Sequence, residues 1–105
     1  MIDKNKIRQD LKDIRYYYGR KAIFDSVASG IGKNEIVDKL EIYNEVIRQA
    51  PPRLYDLYVC LYVQNCTQET VSDKWGYTIE HICRLNSKLI DFIYKNIKKE
   101  GEANV

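Results

Sequence analysis

A glycine turn between two helical segments constrains this chain more than any other feature. Residues 67–95 read TQETVSDKWGYTIEHICRLNSKLIDFIYK. A short helical run, Gln68 to Trp75, meets Gly76 and Tyr77, and Thr78 opens a longer helix. Glycine takes positive φ at little steric cost, so Gly76 suits the left-handed position that closes a helix. The Thr78 hydroxyl can accept a bond from an N–H left without a partner in the first turn of the following helix. Helix, glycine turn and capped second helix together predict a helix-turn-helix.

The apolar spacing agrees. Val71 and Trp75, four apart, share one face of the first helix, while Ile82, Leu85, Leu89, Phe92, Ile93 and Ile97 keep helical period along the second. This leaves Glu80, His81, Arg84, Ser87, Lys88 and Lys95 on the solvent face. From His81 to Lys99 there are five Lys/Arg against one carboxylate, Asp91. An apolar stripe backed by a basic outer face suits the major groove of duplex DNA. The plainer reading is a helical hairpin with solvated charges; agreement of cap, turn and charge favours DNA contact.

Roles follow from chemistry. Arg84 suits guanine O6/N7, and Glu80 can accept from cytosine N4. Lys88 and Lys95 suit phosphates. Thr67 and Gln68 open the first helix of the pair and can hold a phosphate there. His81 can bond a base edge or a phosphate, or be an ordinary surface histidine. Thr78, Ile79 and Ser87 complete the expected contact surface.

These same residues carry a resemblance. Thr67, Glu69, Val71, Ser72, Trp75, Gly76, Tyr77 and Thr78, then Ile82, Arg84 and Leu85, stand at the spacings of a T-x-E-E-I-A-x-x-L-G-[IV]-S helix followed by x-x-T-V-x-R-L. Residues 54–94 resemble region 4 of bacterial sigma factors and related phage activators. The whole chain is similar to small phage regulators of the ArpU and RinA type, which join an N-terminal helical part to a sigma-like C-terminal helix-turn-helix; IRYYYGRK at residues 14–21 adds to the likeness. Trp75 replaces a leucine of the family pattern, and Ile79 stands where a polar or basic residue is frequent. The resemblance implies a phage or mobile-element transcription regulator whose partners are double-stranded DNA and host RNA polymerase. Reading a second half-site calls for a homodimer. Two other readings use the same helices: an adaptor for partition or packaging that coats repeated sites, and a polymerase-binding module that binds no DNA.

Net charge is only +2 over 105 residues, so any DNA-binding charge must be local. Residues 1–34 hold eight Lys/Arg against four Asp, a surface that can meet phosphate or an acidic partner but is by default solvated. Three cysteines without a CxxC, no signal sequence and no long apolar run point to a reduced, cytoplasmic protein with no membrane segment. Cys66, His81 and Cys83 have poor spacing for zinc, so no metal or other cofactor is expected. One histidine and no defensible acid–base or nucleophile constellation argue against an enzyme.

Along the chain, a first helix is expected over residues 3–18, capped by Asp3, with Ile7, Leu11, Ile14 and Tyr18 on one stripe and Arg8, Lys12 and Arg15 along another side. Its apolar face continues to Ala28, bent or restarted, before a break at Ser29, Gly30, Ile31 and Gly32. Asn34 is a plausible cap for a helix to about Gln49, buried through Ile36, Leu40, Tyr43 and Ile47. Pro51 and Pro52 end it. A third helix, from near Arg53 to about Gln64, presents Leu54, Leu57, Tyr58, Leu61 and Tyr62 and underlies the helix-turn-helix. Tyr16, Tyr17 and Tyr18 cannot all face one core. No strand or wing is expected, and residues 98–105 read as a frayed tail. The prediction is a single all-α domain: a small bundle of four to five helices with a C-terminal helix-turn-helix over residues 53–97, and residues 1–49 available for dimerisation or polymerase contact.

Overall fold

Each apolar stripe needs a partner, and four of them converge on the long C-terminal helix. The computed structural model describes residues 3–20 and 33–103. Within them lie five helices and no strand: α1 (Lys4–Gly19), α2 (Lys33–Ile47), α3 (Pro52–Tyr58) running into a π turn (Val59–Val63), α4 (Gln68–Trp75) and α5 (Ile79–Ala103). The all-α bundle is as expected. No helix among the described residues is long and apolar enough to cross a membrane. The apolar face expected to continue to Ala28 and the glycine break at residues 29–32 lie outside the described residues.

α1 begins as its sequence dictates: the Asp3 carboxylate accepts from the Lys6 N–H at 2.8 Å. Its Ile7, Leu11 and Ile14 stripe is fully buried, with Tyr17 joining it while Tyr16 is exposed. α2 starts at Lys33, so Asn34 lies inside the helix and is not its cap. α2 buries Leu40, Tyr43 and Ile47 as expected, and Val46 as well.

Polar contacts between α1 and α2 were not foreseen. Asp10 is only 4% exposed. Its Oδ2 accepts from the Tyr43 hydroxyl at 2.7 Å, and its Oδ1 pairs with Lys6 at 2.9 Å and Lys39 at 3.1 Å. Lys39 also reaches Asp13 at 3.1 Å. Burial pushes the Asp10 carboxyl up, but Tyr43, Lys6 and Lys39 together outweigh it and hold the group below the usual carboxylate range.

Proline at the first helical position starts α3, where a missing N–H costs nothing. The expected α-helix to Gln64 instead widens into the π turn, with the Gln64 N–H reaching the Val59 carbonyl at 2.8 Å and the Cys66 N–H the Cys60 carbonyl at 2.9 Å. Asn65 follows in the left-handed region at φ 59°. Arg15 closes this helix end. Its guanidinium donates to the carbonyls of Leu61 and Cys66 at 3.1 Å each and of Asn65 at 3.3 Å, and Asn65 Nδ2 returns a bond to the Arg15 carbonyl at 3.1 Å. Gly19 allows this approach, since a Cβ there would sit 3.0 Å from Asn65 Oδ1. α5 is helical on to Ala103, past Lys98 where fraying was expected.

Candidate nucleic-acid interface

Local chemistry builds the α4–α5 pair. The Thr67 hydroxyl caps α4 by accepting from the Thr70 N–H at 3.0 Å. Glu69 in the first turn and Lys74 in the last complement the helix dipole. Gly76 takes the left-handed conformation at φ 72°, and a Cβ there would meet nothing within 4 Å, so the backbone alone demands glycine. Ser72, which the sequence marked only as a motif position, is buried and ties the turn. Its hydroxyl donates to the Tyr77 carbonyl, and its own carbonyl accepts from the Tyr77 N–H at 3.1 Å. Thr78 caps α5 as predicted, its hydroxyl accepting from the His81 N–H at 3.1 Å.

Packing then sets the roll of α5. Ile82, Leu85, Leu89, Ile90 and Ile93 are buried. The Tyr62 hydroxyl donates to Asn86 Oδ1 at 2.6 Å, pinning α5 to the π turn, and the Cys83 thiol donates to Gln68 Oε1 at 3.0 Å, pinning it to the start of α4. From α3, the Arg53 guanidinium lies 4.8 Å from the Trp75 ring centroid and 5.5 Å from that of Tyr77, whose ring meets His81 edge-on at 4.5 Å. Trp75 therefore forms part of a stack that braces the turn from outside.

This roll presents Thr78, Ile79, Glu80, Arg84, Ser87 and Lys88 as one exposed surface on the first turns of α5. Neither Arg84 nor Lys88 forms an ion pair with any described carboxylate. Asp91, farther along this face, is matched by Lys4 of α1 at 2.7 Å, and that contact holds its carboxyl below the usual range. Thr67 is exposed and Gln68 half-buried at the edge of the surface. His81 is half-buried against Tyr77, displaced from the centre of the face to its flank. Lys95 is exposed on the same side but eleven residues beyond Arg84, roughly 16 Å farther along the axis. The predicted set thus divides into a compact patch at the start of α5, two residues at its α4 edge, and His81 and Lys95 outside it.

Sequence reasoning did not assign the contacts that hold the patch in place, made by Arg53, Tyr62, Ser72, Cys83 and Asn86. Ser72 alone left a local signal, a small hydroxyl residue five positions before the turn carbonyl it meets. The others act across 15 to 24 residues of chain, where spacing says nothing.

Comparison of the chain with protein-family models, curated proteins and solved structures returns no match.

Proposed function

We propose that this chain is a sequence-specific DNA-binding transcriptional regulator that lays the first turns of α5 in the major groove. One observation carries the reading: an exposed surface whose cations pair with no described carboxylate, on a helix whose roll is fixed by bonds from the π turn and α4. An α-helix fits the major groove, and base edges there carry a distinct pattern for each pair.

Within that reading Arg84 pairs with guanine O6/N7, and Glu80 accepts from cytosine N4. Ile79, 49% exposed and apolar at the leading end of the helix, suits a thymine methyl group. Lys88 and Lys95 contact phosphates, Thr67 and Gln68 contact a phosphate at the start of α4, and Thr78, His81 and Ser87 border the contact. A phage or mobile-element origin and contact with host RNA polymerase come from the sequence resemblance, and a homodimer from the need for a second half-site.

The test is a salt-titrated binding assay with duplex fragments from around the chain's own gene, wild type beside Arg84→Ala. One fragment should bind well above the rest, and Arg84→Ala should lose roughly 1–3 kcal/mol on it while relaxing preference at one base pair. Uniform weak binding that Arg84→Ala leaves unchanged would overturn the reading. Cooperative coating of repeated sites would mark a partition or packaging adaptor, and capture of RNA polymerase without DNA binding a polymerase-directed module.

A further inference from the structure

The carboxylates of α1 are sorted away from one of its sides. Asp3 caps the helix, and Asp10 and Asp13 are paired with Lys39 of α2. Arg8, Lys12 and Arg15, at i, i+4 and i+7, are left along the side that faces α4 and α5. There they line a cleft of about 280 Å³ with Leu11, Leu61 and Ile90 among its apolar lining and Gln68 and Asn86 contributed by the facing helices. A second hollow of about 430 Å³ shares Lys12 and Arg15 and continues to Arg20. No described carboxylate lines either one. Four cations with no described carboxylate among them make this side of α1 locally positive in a chain whose net charge is only +2.

The cations differ in what they can do. Arg15 donates to three backbone carbonyls, which fixes its charge in the cleft wall. Arg8 and Lys12 are exposed and form no ion pair with a described carboxylate, so they can reach a ligand. The amide oxygens of Gln68 and Asn86 accept from Cys83 and Tyr62, which leaves their N–H donors for an anion. The cleft is therefore rich in donors and positive, and its own acceptors are occupied.

We propose that this cleft seats the phosphate backbone of the DNA, giving α5 a second anchor that does not depend on sequence. The inference rests on the DNA-binding reading above. A helix about 10–12 Å across nearly fills a major groove about 12 Å wide, so a backbone runs on either side of it. Gln68 joins the cleft to the edge of the exposed α5 surface through Cys83, so one backbone meets α1 and the start of α4. The other meets Lys88 and Lys95. The Lys4–Asp91 pair and the Lys4 contact over the Tyr94 ring, 5.8 Å from its centroid, hold α1 in register with α5.

The experiment compares the full chain with its Arg8→Ala/Lys12→Ala and Arg84→Ala forms on the preferred duplex and on an unrelated one, across a salt series. Thermal melts confirm that each form is folded, and Arg8→Gln/Lys12→Gln replaces the alanine pair if that one melts early. The double variant should lose affinity by the same factor on both duplexes, and its log–log salt slope should fall by about 1.8, for two phosphates at ~0.9 each. Arg84→Ala should lose on the preferred duplex alone. Wild-type binding whose affinity and slope survive the double substitution overturns the cleft and leaves the DNA-binding reading standing; a cleft that takes inorganic phosphate without that effect on DNA does the same. A wild type that binds neither duplex overturns both.

Discussion

Replacing Tyr43 by Phe removes one oxygen from the middle of the α1–α2 contact and little else. Tyr43 is 2% exposed, and its hydroxyl lies 2.7 Å from Asp10 Oδ2 on a carboxylate that is 4% exposed. Phenylalanine fills the same ring volume, so the cavity cost is small. Lys6 and Lys39 remain on Oδ1 at 2.9 and 3.1 Å and keep Asp10 ionised, which strands Oδ2 without its donor. Hydrogen bonds to charged groups contribute about 1.5–3 kcal/mol, and burial places this one in the upper half of that range. At about 4–8 °C per kcal/mol for a domain near this size, Tyr43→Phe should melt roughly 10–20 °C below wild type at neutral pH, as read by circular dichroism. The sign of the pH dependence follows from the direction of the Asp10 shift. A carboxyl depressed in the folded state stabilises fully above its unfolded value, about 4, and that stabilisation disappears as pH falls through the folded value. Tyr43→Phe raises the folded value toward the unfolded one, so the gap between variant and wild type should be widest at neutral pH and narrow below about pH 4. Equal melting temperatures at neutral pH would refute the energetic role of the bond. A gap that stays constant into acid would refute its dependence on the ionised carboxylate.

Two further outcomes test the framing of the α4–α5 pair. Gly76→Ala should cost about 1–2 kcal/mol in chemical denaturation, from the left-handed backbone alone, since no atom lies within 4 Å of the added Cβ; Gly76→Asn should cost less, and an equal cost for both would point to a contact and not to φ. Arg15→Ala should destabilise by about 2–3 kcal/mol, because three carbonyls at the end of the π turn lose one charged donor together, whereas a loss below about 0.5 kcal/mol would mean that water replaces it freely.

The placement of α4 and α5 makes the exposed surface a property of the whole bundle. The α5 helix is amphipathic in its own right, but its roll depends on Tyr62 from the π turn and Gln68 from α4. Replacing Tyr62 by Phe would therefore act on any groove contact through the roll of α5, without touching the groove.

Short-range physics was readable in the sequence. Asp3 and Thr78 cap the helices they were expected to cap, Gly76 takes positive φ, and the stripes of α1, α3 and α5 bury most of the residues that helical spacing nominates, with Tyr18, Tyr62 and Phe92 only half-buried. All of these interactions span about one helical turn, so neighbouring residues suffice to specify them. Asn34 shows the limit: a good capping residue is passed over when the chain begins its helix one residue earlier. Tertiary structure decided the rest. Whether Asp10 is solvated or buried depends on Tyr43 and Lys39, and the π turn is closed by Arg15 from 46 to 51 residues away. The His81 ring packs edge-on against Tyr77, a contact its place in the sequence did not indicate, and Arg53 of α3 stacks on Trp75 and Tyr77 and braces that ring. Arg8, Lys12 and Arg15 were visible as a basic side of a helix, but only the packing of α1 against the π turn and α5, with Gln68 of α4 at the rim, turns that side into a cleft. Periodicity records which face of a helix is apolar; it carries no information on which helix lies opposite, and the chemistry of a site depends on that pairing.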